Sequence, residues 1–134
     1  MTVKDLKRII YLDEKINCML EELTAWEHDL CSIKGVSYDK DKVMSSNRSN
    51  FDDLIIKICD AQAKINRDID KLINLKLKAK TEIDKLDDIY YIIMSKRYLQ
   101  GKRWDEISSE TNYSISHIFK LHDDAVKMIV NKSK

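Results

Sequence analysis

The chain has 134 residues, enough for one domain with one core, and carries 24 Lys and Arg against 23 Asp and Glu, a formal charge of +1. Its 43% hydrophobic and 35% charged residues exclude disorder as the default, while the lack of proline and the presence of just two glycines, Gly35 and Gly101, exclude hairpin-rich sandwiches, barrels and glycine-rich phosphate loops. The near-neutral charge excludes nucleic-acid binding by bulk electrostatics alone, so any such binding has to come from local patches.

From Val3 to Cys31 apolar residues recur at helical spacing. Ile9, Ile16, Leu23 and Leu30 stand seven apart, and Leu12, Met19 and Trp26 form a second row, a coiled-coil-like stripe interrupted at Asp13 and Glu27. Residues 32–49 lose this period and collect Gly35, several serines and Asn47, which reads as a long loop. Asn50 then offers an N-cap with Asp53 three residues on, and Phe51, Leu54, Ile58, Ala61, Ile65, Ile69, Leu72 and Leu75 continue the stripe along a second helix. Thr81 and Asp87 are candidate caps, so this helix either stops near Lys80 or bends and runs on. Helices over 3–31 and 51–80 match in length, roughly 43–45 Å each at 1.5 Å per residue, and suit an antiparallel hairpin.

Three shorter helical units follow. Leu86, Ile89, Tyr90, Ile93 and Met94 mark the first, which ends at Gln100-Gly101, where glycine supplies a left-handed cap. The second runs from about Arg103 to Thr111, with Trp104 and Ile107 inward and Asp105 and Glu106 at the positive end of its dipole. Asn112-Tyr113-Ser114 forms a turn in which Asn112 tolerates positive φ and Ser114 caps the third helix, Ile115 to about Asn131, with Ile118, Leu121, Ala125, Met128 and Ile129 as its core face. The predicted fold is all-α: a long antiparallel helical hairpin with an oligomerisation role over 1–84, and a helix-turn-helix bundle over 85–134.

Residues 97–126 resemble the helix-turn-helix of sigma factor region 4, with Arg97-Tyr98 as the Arg-aromatic pair, Asp105-Glu106-Ile107 as its acidic-acidic-aliphatic run, and Ile118, Leu121 and Ala125 as the later apolar positions. The wider order is similar to the small phage regulators related to the ArpU and RinA late-gene activators, including a loop like Gly35-Val36-Ser37-Tyr38 followed by Val43-Met44-Ser45-Ser46. The resemblance implies control of phage transcription through promoter DNA, with RNA polymerase as a further partner. It also implies that Ile115, Ser116, His117, Phe119 and Lys120 face the major groove. Where region 4 carries several Arg or Lys, this helix offers Lys120 and Lys127 with Asp123 and Asp124 between them, so base reading leans on Ser116, His117 and contact of Ile115 or Phe119 with thymine methyls.

Lys96, Arg97, Lys102 and Arg103 precede the helix-turn-helix where phosphate contacts usually position such domains, and Ser114 adds a hydroxyl at the turn. Trp104, three places before Ile107, reads as core, and His122 as partly buried. The adjacent pairs Asp52-Asp53, Asp87-Asp88 and Asp123-Asp124 point about 100° apart on a helix and cannot act on one substrate group. Neither a nucleophile with a histidine partner nor a metal-binding spacing is evident. Cys18, Cys31 and Cys59, odd in number and without Cys-x-x-Cys spacing, read as reduced thiols of a cytoplasmic protein. No apolar signal core and no run near the roughly 18 uncharged residues of a membrane span is found. The expectation is a non-enzymatic, cytoplasmic DNA-binding regulator. It acts as a homodimer on double-stranded DNA, without cofactor, metal, small-molecule substrate or membrane partner. The alternatives are a phage small terminase-like subunit and a protein-only adaptor of anti-sigma type.

Overall fold

A computed structural model describes the backbone of residues 1–36 and 44–132 and the side chains of 1–32 and 50–131. It is all-α: α1 (Val3–Val36), α2 (Met44–Ile83), α3 (Asp88–Met94) prolonged by a π-helical turn (Ser95–Leu99), α4 (Trp104–Thr111) and α5 (Ile115–Lys132), with no strand among the described residues. No helix among them is long and apolar enough to cross a membrane.

Thr2 and Asp5 start α1 reciprocally. The Asp5 amide donates to Thr2 Oγ1 at 3.3 Å and the Thr2 amide to Asp5 Oδ2 at 3.0 Å, satisfying donors that the first turn would leave open. Both long helices exceed their predicted lengths. α1 continues to Val36 and α2 begins at Met44, so 32–36 and 44–49 are helical rather than loop, and Asn50 lies inside α2 rather than capping it. The reason is energetic: each serine or asparagine costs a helix only about 0.5 kcal/mol relative to alanine, and no proline is present to break it. Residues 37–43, Tyr38 among them, lie outside the described residues.

α2 ends at Ile83, between the two sequence alternatives. Thr81 is no cap, because its hydroxyl donates back to the Leu77 carbonyl at 3.1 Å. Backbone bonds from Asp84 to Lys80 and from Leu86 to Ile83 close the turn, and Asp87, in extended conformation, starts α3.

The chain forms two compact units, residues 14–70 and residues 1–13 with 71–134, so both long helices contribute to both units. In the first unit α1 and α2 are antiparallel. Lys15 Nζ of α1 pairs with Oδ2 of the buried Asp68 of α2 at 3.1 Å. Ile16, Leu23, Ile58 and Ile65 are buried here at the predicted seven-residue spacing, each worth about 1.5–3 kcal/mol against exposure. Leu20, off that spacing, stays 43% exposed.

The second unit buries Leu6, Ile9 and Leu12 of α1, Leu72, Ala79 and Ile83 of α2, and the core faces of the shorter helices. That shared burial is why the ends of the long helices group with the carboxy-terminal residues. Asp13, which interrupts the apolar stripe, lies 3.6 Å from Lys76 at the margin of this unit, so the break is a paired carboxylate rather than a packing fault. Ile118, Ala125 and Ile129 form the core face of α5 as predicted, whereas Met128 is 37% exposed.

Candidate nucleic-acid interface

The site is built by two backbone reversals, each written in short-range chemistry. After α3 the chain widens into the π-helical turn, in which the Gln100 amide donates to the Ser95 carbonyl at 3.0 Å. Gly101 follows at φ +68°, a conformation that costs an L side chain about 1–2 kcal/mol. A Cβ there would also lie 3.0 Å from Asp13 Oδ2. The Lys102 amide then donates to the Lys96 carbonyl at 3.0 Å, and Arg103, extended, opens α4.

At the start of α4 the Glu106 carboxylate accepts from the Arg103 amide at 3.4 Å, and Asp105 and Glu106 sit in the first turn, where the helix dipole favours negative charge. At its end Asn112 adopts φ 63°, its amide donating to the Ser108 carbonyl. The Ser108 hydroxyl donates to the Tyr113 carbonyl at 2.6 Å, which fixes the turn. Ser114 then caps α5, its hydroxyl accepting from the His117 amide at 3.2 Å. Gly101, Asn112 and Ser114 thus do what their residue types predicted.

Beneath the reversals Ile93 of α3, Ile107 of α4 and Ile118 of α5 are fully buried together, with Ile89, Trp104 and Leu121 packed around them. This three-helix core holds α5 against α4 in a helix-turn-helix. At 100° per residue, the buried Ile118, Ala125 and Ile129 turn Ser116, Lys120, Asp123 and Lys127 outward, with Ile115 and Phe119 on one flank and His117 on the other. Ile115, Ser116, His117, Phe119 and Lys120 are all exposed, so the five residues expected to face the groove share the accessible amino-terminal half of α5. Two are braced. The Phe119 ring meets Trp104 edge-on at 5.1 Å, and His117 lies 5.1 Å from the Tyr113 ring. The exposed carboxylate of Asp123 lies one turn beyond Lys120 on the same outward line, which offsets its positive charge.

The basic residues before α4 are placed differently from one another. Arg103 is exposed, within 3.5 Å of Asp105 and 3.7 Å of Glu106. Arg97 is drawn inward: its guanidinium stands 4.4 Å from the centre of the Trp104 ring, Nη1 donates to the Lys102 carbonyl at 3.1 Å, and Nε is buried without a partner. Lys96 and Lys102 both reach Glu110 in the last turn of α4, Lys96 at 3.1 Å and Lys102 through a short hydrogen bond. Hydrogen bonds from Lys102 and then Lys96 hold the Glu110 carboxyl below the usual carboxylate range.

Against Trp104 lies a partly buried polar pair. The Tyr98 hydroxyl and His122 Nε2 are 2.7 Å apart, the two rings stack at 5.7 Å, and Trp104 meets His122 edge-on at 5.0 Å. Burial pushes the Tyr98 hydroxyl up to about 12 and pushes the His122 imidazole down, the latter partly opposed by Asp123, whose carboxylate is 3.5 Å from Nδ1. With Nδ1 protonated toward Asp123, Tyr98 donates to Nε2, so the neutral imidazole is the form this core accommodates. The pairings of Arg97 with Trp104, of Lys96 and Lys102 with Glu110, and of Tyr98 with His122 escaped the sequence reading, since each joins residues on different helices or turns.

Residues 32–130 match a family model described as "Protein of unknown function (DUF1492)". No curated protein and no solved structure matches the chain.

Proposed function

This chain belongs to the DUF1492 family, and we propose that it is a DNA-binding transcriptional regulator of phage or prophage type, similar to the ArpU and RinA regulators and to sigma factor region 4. It acts as a binding module without a chemical step, on promoter DNA and as a homodimer, with RNA polymerase as a further partner. One observation carries the reading: a packed helix-turn-helix leaves Ile115, Ser116, His117, Phe119 and Lys120 together and accessible at the start of its second helix. Lys120 and Arg103 would hold phosphates, Ser116 and His117 would hydrogen-bond to base edges, and Ile115 and Phe119 would meet thymine methyls. Arg97 supports the interface from behind by holding Trp104 and the Lys102 carbonyl, rather than by touching phosphate itself.

So few cations free for phosphate imply weak binding by a single copy and a shallow dependence on salt. A second copy or a polymerase then supplies the remaining affinity. The adaptor reading has its own support, because Lys96, Lys102, Arg97 and the more exposed Arg103 already have partners within the protein. Charge reversal separates the two. Lys120→Glu and Arg103→Glu each abolish retention of mixed-sequence duplex at low salt while helicity and oligomeric state persist; unchanged retention in both variants refutes the DNA interface.

A further inference from the structure

We propose that Lys96 and Lys102 form a seat for a backbone phosphate of duplex DNA, and that Glu110 occupies this seat in the free protein and thereby limits DNA affinity. The proposal rests on the DNA-binding reading above. Lys96 stands in the π-helical turn, Lys102 just after Gly101, and Glu110 eight residues further on in the last turn of α4. Despite that separation both ammonium groups converge on one carboxylate, Lys96 Nζ at 3.1 Å from Oε2 and Lys102 Nζ hydrogen-bonded to Oε1.

Two oxygens, one on each ammonium, reproduce the way the two free oxygens of a phosphodiester would be held. The cluster opens to solvent, with side-chain exposures of 23% for Lys96, 28% for Lys102 and 39% for Glu110, so a duplex can reach it. Ion pairs this exposed are weak, because water solvates the separated charges nearly as well. Exchanging the carboxylate for a phosphate therefore costs little, and counterions released from the duplex favour the exchange. One carboxylate against two ammonium groups also leaves a residual positive charge that attracts the incoming anion. The other nearby cation, Arg97, cannot substitute, since its guanidinium is held between Trp104 and the Lys102 carbonyl.

Affinity for a mixed-sequence duplex, measured by fluorescence anisotropy across a series of salt concentrations, tests the seat. Glu110→Gln binds roughly 3–10-fold tighter at low salt, and its slope of log affinity against log salt steepens by about 1, as expected for one more phosphate neutralised. Adding Lys96→Gln and Lys102→Gln to that variant removes the gain. In the otherwise unchanged chain the lysine pair Lys96→Gln/Lys102→Gln weakens binding by about threefold or more, which tests the seat even where Glu110→Gln perturbs the fold. Circular dichroism of each variant reports helicity. If the unchanged protein binds and neither Glu110→Gln nor the lysine pair alters affinity or slope, the seat is overturned and the DNA interface stands. If neither the unchanged protein nor Glu110→Gln retains duplex at low salt, the DNA-binding reading itself fails, and the seat with it.

Discussion

Arg97 offers the sharpest test of how this helix-turn-helix is held together. Truncating it in Arg97→Ala removes a guanidinium placed 4.4 Å from the centre of the Trp104 ring, a contact worth about 0.5–2 kcal/mol depending on its desolvation. It also removes a charged hydrogen bond of 3.1 Å to the Lys102 carbonyl, worth about 1.5–3 kcal/mol. Against these stands a return of about 1 kcal/mol or more, because the buried and unpaired Nε no longer has to be desolvated. The balance is a loss of about 2 kcal/mol, which in a chain of this size lowers the melting temperature by roughly 8 °C. Arg97→Lys keeps the charge but cannot lie flat on the indole and donate sideways at the same time, so it recovers at most about half. Arg103→Ala, at an exposed site, changes stability by no more than about 0.5 kcal/mol. Urea unfolding followed at 222 nm compares the three. An Arg97→Ala loss no larger than that of Arg103→Ala would refute the placement of Arg97 as a brace and return it to the surface, where phosphates could reach it.

Three further outcomes follow from the same unit. Ile107→Ala empties a fully buried position in the three-helix core and costs about 2–5 kcal/mol by urea unfolding; a loss under 1 kcal/mol would mean that α4 is not packed as described. Gly101→Ala forces a side chain into positive φ and a Cβ to within 3.0 Å of Asp13 Oδ2, so it destabilises by about 1–2 kcal/mol, and a neutral or stabilising result would contradict that turn. His122 is held below its ordinary value by burial, so the unfolded chain binds more protons than the folded one once pH falls past about 6.5. The stability it contributes is present above that pH and is lost as pH falls through the folded value. A His122→Gln variant should lose this part of the acid sensitivity between pH 7.5 and 5; equal slopes in the two proteins would contradict the partly buried Tyr98–His122 pair.

What could be read from the sequence follows from the range of the interactions involved. Gly101, Asn112 and Ser114 act on their own backbone within a few residues, so residue type alone places the ends of α4 and the start of α5. The seven-residue spacing of Ile16 and Leu23, and of Ile58 and Ile65, likewise marks the buried stripes of the long helices. The serines of 45–49 misled because a weak helix former is not a stop signal. Helix continuation depends on what the whole element packs against, and that is not written locally. Periodicity places both Met128 and Ile129 on the core face of α5, but Ile129 alone is buried and Met128 stands at its edge. The chemistry of the candidate site was the least legible. Lys96 and Lys102 look like a free basic patch in one dimension, and only the fold brings Glu110 to them across 14 and 8 residues.

On the proposed function, the amino-terminal half of α5 reads duplex DNA. The most direct measurement of this is selection of duplexes from fragmented host and phage DNA by the purified protein at low and moderate salt, with the bound fragments sequenced, in parallel for the unchanged chain and Lys120→Glu. The account predicts enrichment of one site, repeated as half-sites if a dimer binds, that persists at moderate salt and disappears with Lys120→Glu. Recovery of unselected DNA that vanishes at moderate salt, or the same fragments recovered by both proteins, would contradict it.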